Sequence, residues 1–243
     1  MVSVESVDAG RLAFQEITLS NSATIDDRTP CSDIEEVDRR WGRLRYMKIE
    51  QARFLRDFLI EHDARELLEL GFFQGKSTAY MAAILEGLGR GHVTTLDLVG
   101  AKKRNPSILD VLADLNLEHR VTPVFSHRSF TWELHRLLAE TPRPQFDYCY
   151  IDGAHTWDGT GYSFLLVDLL LKPGGWVIFD DLNWSISKSQ AARKNMKRYA
   201  AYSDEEKCSK QVREVWNILV PARGYENMHE VERFGWGVAQ KPL

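Results

Sequence analysis

The sequence predicts an α/β fold: a seven-stranded, mostly parallel sheet with an antiparallel last strand and helices on both faces. Three observations predict it. From residue 66 onward, short apolar runs alternate with longer amphipathic ones, the rhythm of strand–helix–strand units. The short runs are apolar almost throughout, as strands buried on both faces must be. Two of them, Tyr148-Cys149-Tyr150-Ile151-Asp152 and Gly175-Trp176-Val177-Ile178-Phe179-Asp180-Asp181, stop at carboxylates. In open α/β sheets ligands bind outside the carboxyl ends of the strands, so those acids are candidates for a site.

In chain order, residues 1–30 lack sustained periodicity and read as partly mobile. The stretch 1–47 is an N-terminal extension, either a cap over the pocket or a dimer arm, ahead of a main domain at 48–243. Ala52, Leu55, Phe58 and Leu59 give 49–61 a helical stripe that packs on the sheet. Strand-like runs follow at 66–70, 92–98, 121–125, 146–151 and 176–179, with helix-like segments at 77–88, 107–117, 130–139 and 159–171 between them. Lys172-Pro173-Gly174-Gly175 is a helix stop, because neither Pro nor Gly continues a helix. Residues 183–202 are polar, basic and dotted with aromatics, and read as a wall or lid of helix and loop. Runs at 216–220 and 236–240 complete the seven strands as a hairpin-like, antiparallel pair.

Composition removes several classes of function. The net charge of −4 gives no global attraction to nucleic acid or to an anionic membrane. Cys31, Cys149 and Cys208 are scattered, with no Cys-x-x-Cys, so neither a disulfide framework nor a thiolate zinc site is indicated. Cys149 reads as a small core residue. No apolar run approaches the roughly 20 residues of a membrane span, and the N-terminus lacks the pattern of a signal peptide. A cytoplasmic enzyme acting on a small molecule is expected, with no nucleic-acid or membrane partner and with homo-oligomerisation left open.

The turn Glu69-Leu70-Gly71-Phe72-Phe73-Gln74-Gly75-Lys76-Ser77-Thr78 joins the first strand to its helix. Gly71 permits a close backbone approach and Gly75 a tight turn. The helix N-terminus beyond them offers free N–H groups to a carboxylate or phosphate. Two nucleotide-binding patterns are absent: the phosphate-binding loop lacks its first glycine, Leu occupying position 70, and Gly-x-Gly-x-x-Gly is missing. Asp97 ends the second strand 22 residues after Gly75, near the distance at which an acid commonly accepts ribose hydroxyls. A ribose site without a diphosphate loop points to an adenosyl compound whose other end is an amino acid.

Glu69-Leu70-Gly71-x-x-x-Gly75-x-Ser77, Asp97, Ile151-Asp152-Gly153-Ala154-His155 and Leu171-Lys172-Pro173-Gly174-Gly175, in that order, resemble the class I S-adenosylmethionine-dependent methyltransferases with their Rossmann-like sheet. The similarity covers residues 45–182 and is to the metal-dependent branch of catechol-type and macrolide-sugar O-methyltransferases. It implies that Glu69 meets the methionyl amino group and Ser77 its carboxylate. Gly71, Phe73 and Gly75 would line the path, Asp97 would hold the ribose, and Asp152 would flank the cofactor. It places 125–129 beside adenine. That segment departs from the usual Gly-x-Ser, leaving Ser126, Arg128 and Ser129 as alternatives there.

The same resemblance implies Mg2+, or another hard divalent cation, on Asp152, Asp180 and Asp181. Asp181 stands where the catechol-type enzymes usually carry Asn. Three close carboxylates repel one another unless a cation joins them, and a bound cation acidifies a substrate hydroxyl. The competing reading is that Asp180 or Asp181 caps the next segment and Asp152 alone faces the site. His155 falls where catechol-type relatives carry a Lys base. As a base it would act with Asp152 in catalysis; the alternatives are a substrate hydrogen-bond partner or a helix-start residue facing solvent. The expected reaction is attack of a small-molecule hydroxyl, on a phenol, sugar or natural-product intermediate, upon the sulfonium methyl. A methyltransferase-fold protein of the antibiotic hydroxylase-associated type and a non-catalytic ligand-binding relative remain as alternatives.

Overall fold

The computed structural model describes residues 29–194 and 196–243. The mobility expected of residues 1–30 therefore falls almost wholly outside the described residues. In chain order the elements are α1 (Ile34–Trp41), α2 (Ile49–Glu61), β1 (Glu66–Leu70), α3 (Lys76–Gly87), β2 (His92–Leu98), α4 (Ile108–Leu115), β3 (Val121–Ser126) and α5 (Phe130–Ala139). They continue with β4 (Phe146–Ile151), α6 (Trp157–Leu170), β5 (Leu171–Phe179), α7 (Gln190–Arg193), α8 (Asp204–Cys208), α9 (Gln211–Ala222), β6 (Glu226–Val231) and β7 (Trp236–Gln240).

The strands form one sheet in the order β3-β2-β1-β4-β5-β7-β6. The first five are parallel to one another, and β7 runs antiparallel to both of its neighbours. The order reverses between β1 and β4, where the connections leave in opposite directions and open a crevice at the carboxyl edge. The register makes that edge orderly. Leu96 pairs with Leu70, Leu70 with Ile151, and Ile151 with Phe179. The next residue of each strand therefore falls in line, giving a row of Asp97, Gly71, Asp152 and Asp180.

Side-chain parity assigns the two faces. On β4, Tyr148 and Tyr150 pack with α1–α4, whereas Cys149 and Ile151 pack with α5, α6 and α9. Tyr148 to Ile151 are all buried because both sides of the sheet are covered. Residues Lys76 to Leu85 of α3 are all buried, as α3 is enclosed by the sheet and by the segments before β1. Cys31, Ile34, Val37 and Met47 belong to the same core as α2 and α3, so 29–47 is packed onto the sheet domain.

Two local expectations are corrected. The run at 216–220 is not a strand but the second half of α9, whose buried residues Gln211, Val212, Val215, Trp216 and Val220 follow helical spacing. A short apolar run is ambiguous between buried helix and strand. The true sixth strand, β6, is a polar edge with no fully buried residue, so hydrophobic patterning does not reveal it. The Lys172-Pro173-Gly174-Gly175 stop is likewise drawn into β5, with a register irregularity opposite Phe146 and Tyr148.

Candidate functional site

The carboxyl edge opens into one cavity of about 980 Å3. Gly71, Phe73, Asp97, Leu98, Arg104 and Arg128 line it, as do Asp152, His155, Asp180, Asp181, Trp184 and Tyr199.

Gly71 is the closest approach in the site. Its backbone lies at φ +96°, and a Cβ there would stand 2.3 Å from the carbonyl oxygen of Asp152. Both requirements exclude a side chain. Gly71→Ala is expected to destabilise the fold by at least ~2 kcal/mol, through left-handed strain plus displacement of the β4 end. A drop in the urea midpoint at unchanged slope measures it.

Asp97 is held by two backbone donors: Phe73 N–H to Oδ2 at 2.7 Å and Leu98 N–H to Oδ1 at 2.6 Å. Burial raises its pKa and these bonds pull against the rise. The carboxylate is thus fixed at the cavity wall with acceptor capacity left for hydroxyls.

Glu69, near the end of the first strand, is not among the residues that line the cavity. It is fully buried behind the wall, outside the cavity lining, and accepts hydrogen bonds from the hydroxyls of Ser77, Thr78 (2.5 Å) and Thr95 (2.5 Å). Ser77 is spent on Glu69 and does not line the cavity; Gly75 faces Ile108. Ser126 is buried with its hydroxyl unpartnered and also lies outside the lining, whereas Arg128 and Ser129 line it.

Burial pushes the Glu69 carboxyl up to about 7, against the pull of its three hydroxyl donors. Below about pH 4.5 the carboxyl is protonated folded or unfolded. Above that, the unfolded chain releases the proton first, so stability falls as pH rises from about 4.5 through 7, by ~3 kcal/mol in all. Glu69→Gln is expected to flatten that part of the profile. Comparing urea midpoints of the two proteins at pH 4.5 and 7.5 isolates the effect, and parallel profiles would refute it.

The acidic end is built by strained backbone. Asp152 N–H donates to Leu70 O at 2.9 Å and Asp180 N–H to Ile151 O at 3.0 Å, extending the ladder one residue beyond each strand. Ala154 (φ +70°), His155 (φ +57°) and Asp181 (φ +60°) all occupy the left-handed region, costly for residues with a Cβ. The turn folds His155 back over Asp152 before Thr156 caps α6. His155 Nε2 stands 2.9 Å from Asp181 Oδ2 and 3.5 Å from Asp152 Oδ1. Ligand atoms of Asp152, His155 and Asp181 lie within 4.8 Å of one another. Asp180 is engaged otherwise: Oδ2 accepts the Tyr150 hydroxyl and Oδ1 accepts Asp181 N–H at 2.6 Å. The tightest group is therefore Asp152, His155 and Asp181, with Asp180 beside it on the same cavity wall.

Electrostatics explain the grouping. Burial alone would lower the His155 pKa, but Asp152 and Asp181 outweigh it and push it up to about 10. Burial raises Asp152, opposed by His155, and raises Asp180 well above the ordinary carboxylate range, aided by Asp152 and Asp181. At neutral pH the imidazolium is the positive charge that the acids share. Its Nε2 is buried yet makes no aligned hydrogen bond, and this fits a place that a cation can take. Two carboxylates, an imidazole and a third carboxylate nearby form a donor set suited to a divalent ion.

Segment 183–202 supplies one side of the cavity through Trp184, Ser189, Ala192, Arg198, Tyr199 and Tyr202. Trp184 lies 5.1 Å from the His155 ring. Trp157 is half-exposed and outside the lining, while Trp216 and Trp236 are core. Sequence reasoning missed Tyr46, Lys48, Gln51, Arg104 and Phe234, which also line the cavity. Their one signal is adjacency to elements already placed, since none belongs to a motif.

Residues 68–182 match the family model described as a methyltransferase domain. No curated protein matches significantly. Among solved structures, an O-methyltransferase from Bacillus cereus in complex with SAH is 21% identical, covers 90% of this chain and 94% of its own, and has a TM-score of 0.57. TomG from Streptomyces achromogenes, in complex with SAM, gives 18%, 86%, 88% and 0.57. MycE, in complex with Mg, SAH and mycinamycin VI, gives 16% identity and a TM-score of 0.58, over 86% of this chain and 54% of MycE. At such identities the likeness to these structures is one of fold. The fold and the matched domain are similar to those of one class, the class I S-adenosylmethionine-dependent methyltransferases. The motifs at 69–77, 97 and 151–155 resemble those of the metal-dependent O-methyltransferase branch within it. Among the described residues, no helix is long and apolar enough to cross a membrane.

Proposed function

We propose that the chain transfers the methyl group of S-adenosylmethionine to a hydroxyl oxygen of a small molecule, assisted by a divalent cation at Asp152 and Asp181. One observation carries this reading. Asp97 and the acidic group line the same cavity along one sheet edge, so an adenosyl ligand and a hydroxyl held at the acids would be neighbours.

Asp97 would accept the ribose hydroxyls, with Gly71 leaving the space between it and Asp152 free for the cofactor. Phe73 and Arg128 would flank the same ligand. Asp152 and Asp181 would hold the cation, with Asp180 in reserve beside them. Bound there, a hard cation offsets the mutual repulsion of the acids and lowers the pKa of a coordinated hydroxyl. His155 carries a proton between Asp152 and Asp181 in the present arrangement, and it accepts one from a hydroxyl only after that proton has left. Trp184, Tyr199 and Tyr202 enclose the acceptor end and exclude water, which favours a reaction in which an anionic oxygen and a sulfonium neutralise each other. Tyr46 and Met47, the last residues of the N-terminal extension, would lie at the edge of the pocket.

Calorimetric titration with S-adenosylhomocysteine tests the cofactor half. Methyl transfer from labelled S-adenosylmethionine to a panel of phenols, sugars and hydroxylated metabolites, with and without chelator, tests the rest. Binding together with chelator-sensitive transfer that Mg2+ restores is the expected result. Absence of binding, or transfer indifferent to chelator, overturns the corresponding half.

A further inference from the structure

Lys76 follows Gly75 and precedes Ser77-Thr78, the wording of a phosphate-binding turn, yet its side chain leaves the turn. It opens α3, where the helix dipole disfavours a cation. It is only 5% exposed, and Nζ donates to the carbonyls of Gly42 at 3.1 Å and Leu44 at 2.5 Å. A buried ammonium is costly unless its protons are used, and here they are spent on a single loop.

That loop runs from the end of α1 to Met47, which is buried, and both of its ends are fixed. Tyr80 of α3 donates to Asp38 at 2.6 Å, and Gly42 N–H donates to Asp38 O at 2.7 Å. Between the anchors the loop presents Tyr46, at φ +71°, to the cavity. The Tyr46 ring meets the Phe73 ring edge-on at 4.9 Å, and the Arg104 guanidinium lies 3.6 Å from the Phe73 centroid. Phe73 in turn holds Asp97 through its backbone N–H. A continuous set of contacts thus connects the loop to the wall assigned to ribose.

We propose that Lys76 is a positioning residue for the cofactor end of the cavity: it latches residues 42–48 across the mouth, setting Tyr46 against Phe73 to retain an adenosyl ligand. The assignment of the ligand rests on the function proposed above. The latch itself does not, so the two can fail separately.

Lys76→Met keeps the stem and removes the donors. Amide hydrogen exchange across 42–48 is expected to accelerate, and the Kd for S-adenosylhomocysteine to rise about tenfold, mainly through faster release. Tyr46→Ala, at a ring 60% exposed, is expected to weaken binding similarly with little loss of stability. The double variant should bind no worse than either single one, because both remove the same closure. Unchanged exchange at 42–48 in Lys76→Met overturns the latch, whether or not the wild-type protein binds the probe. Wild-type affinity in either single variant, or losses that multiply in the double variant, overturns its role in retention. Should Lys76→Met not fold, Tyr46→Ala alone decides that role.

Discussion

Asp152→Ala is expected to lower methyl transfer at least ~10³-fold, the scale of losing several kcal/mol of charge stabilisation at the reacting oxygen. Asp152 is the central residue of the edge. It is the next residue after the aligned pair Leu70–Ile151, its carbonyl touches the space above Gly71, and its carboxylate shares His155 with Asp181. Stability should move less. Burial holds the Asp152 pKa above its ordinary value against the pull of His155, so ionising it costs the folded state at neutral pH. Loss of the carboxylate relieves that cost but takes one of the two acids from the His155 imidazolium, and the opposed effects are expected to leave the urea midpoint nearly unchanged while activity is lost. Asp181→Ala should match Asp152→Ala in activity, whereas Asp180→Ala should lose less, since its oxygens are already taken by Tyr150 and Asp181 N–H. Full activity of Asp152→Ala in the presence of chelator would falsify the cation reading. Equal losses at Asp180 and Asp181 would restore Asp180 to the ligand set.

The sheet and the acidic edge are legible in the sequence because both are local. Apolar runs as long as a strand, ending at Asp97, Asp152 and Asp180, fix the strand ends to within a residue, and parallel pairing in register then aligns the acids. What is not legible depends on side-chain direction and on distant packing. β-Strand parity turns Glu69 into a pocket of three hydroxyls, which its place in the motif does not announce. His155 replaces Asp180 in the tight group because two successive left-handed residues reverse the chain after Gly153, a feature no propensity announces for Ala-His. Helix α9 hides behind a short, mostly apolar run at 216–220, and β6 behind its polarity. Tyr46 enters the cavity only because Lys76, thirty residues later in the chain, holds the loop before it.

Asp97→Ala is expected to weaken S-adenosylhomocysteine binding by about 10²-fold or more. Hydrogen bonds to a charged acceptor contribute ~1.5–3 kcal/mol each, and a ribose offers two hydroxyls. The loss has a second source on the protein side. Removal of the carboxylate leaves the N–H groups of Phe73 and Leu98 without their acceptors, so the turn that carries Phe73 loosens as well. Asp97→Asn separates the two contributions. Its carbonyl oxygen can serve one of the N–H groups, but its amide must then point a donor at the other or at the ribose, so recovery is expected to be partial. Because the defect lies in cofactor affinity, saturating S-adenosylmethionine should restore most of kcat in Asp97→Asn, while the same treatment leaves Asp152→Ala inactive. That contrast assigns the two ends of the cavity. If saturation rescues neither variant, Asp97 acts on the chemical step rather than on binding; if Asp97→Ala binds as the wild type does, the ribose site lies elsewhere.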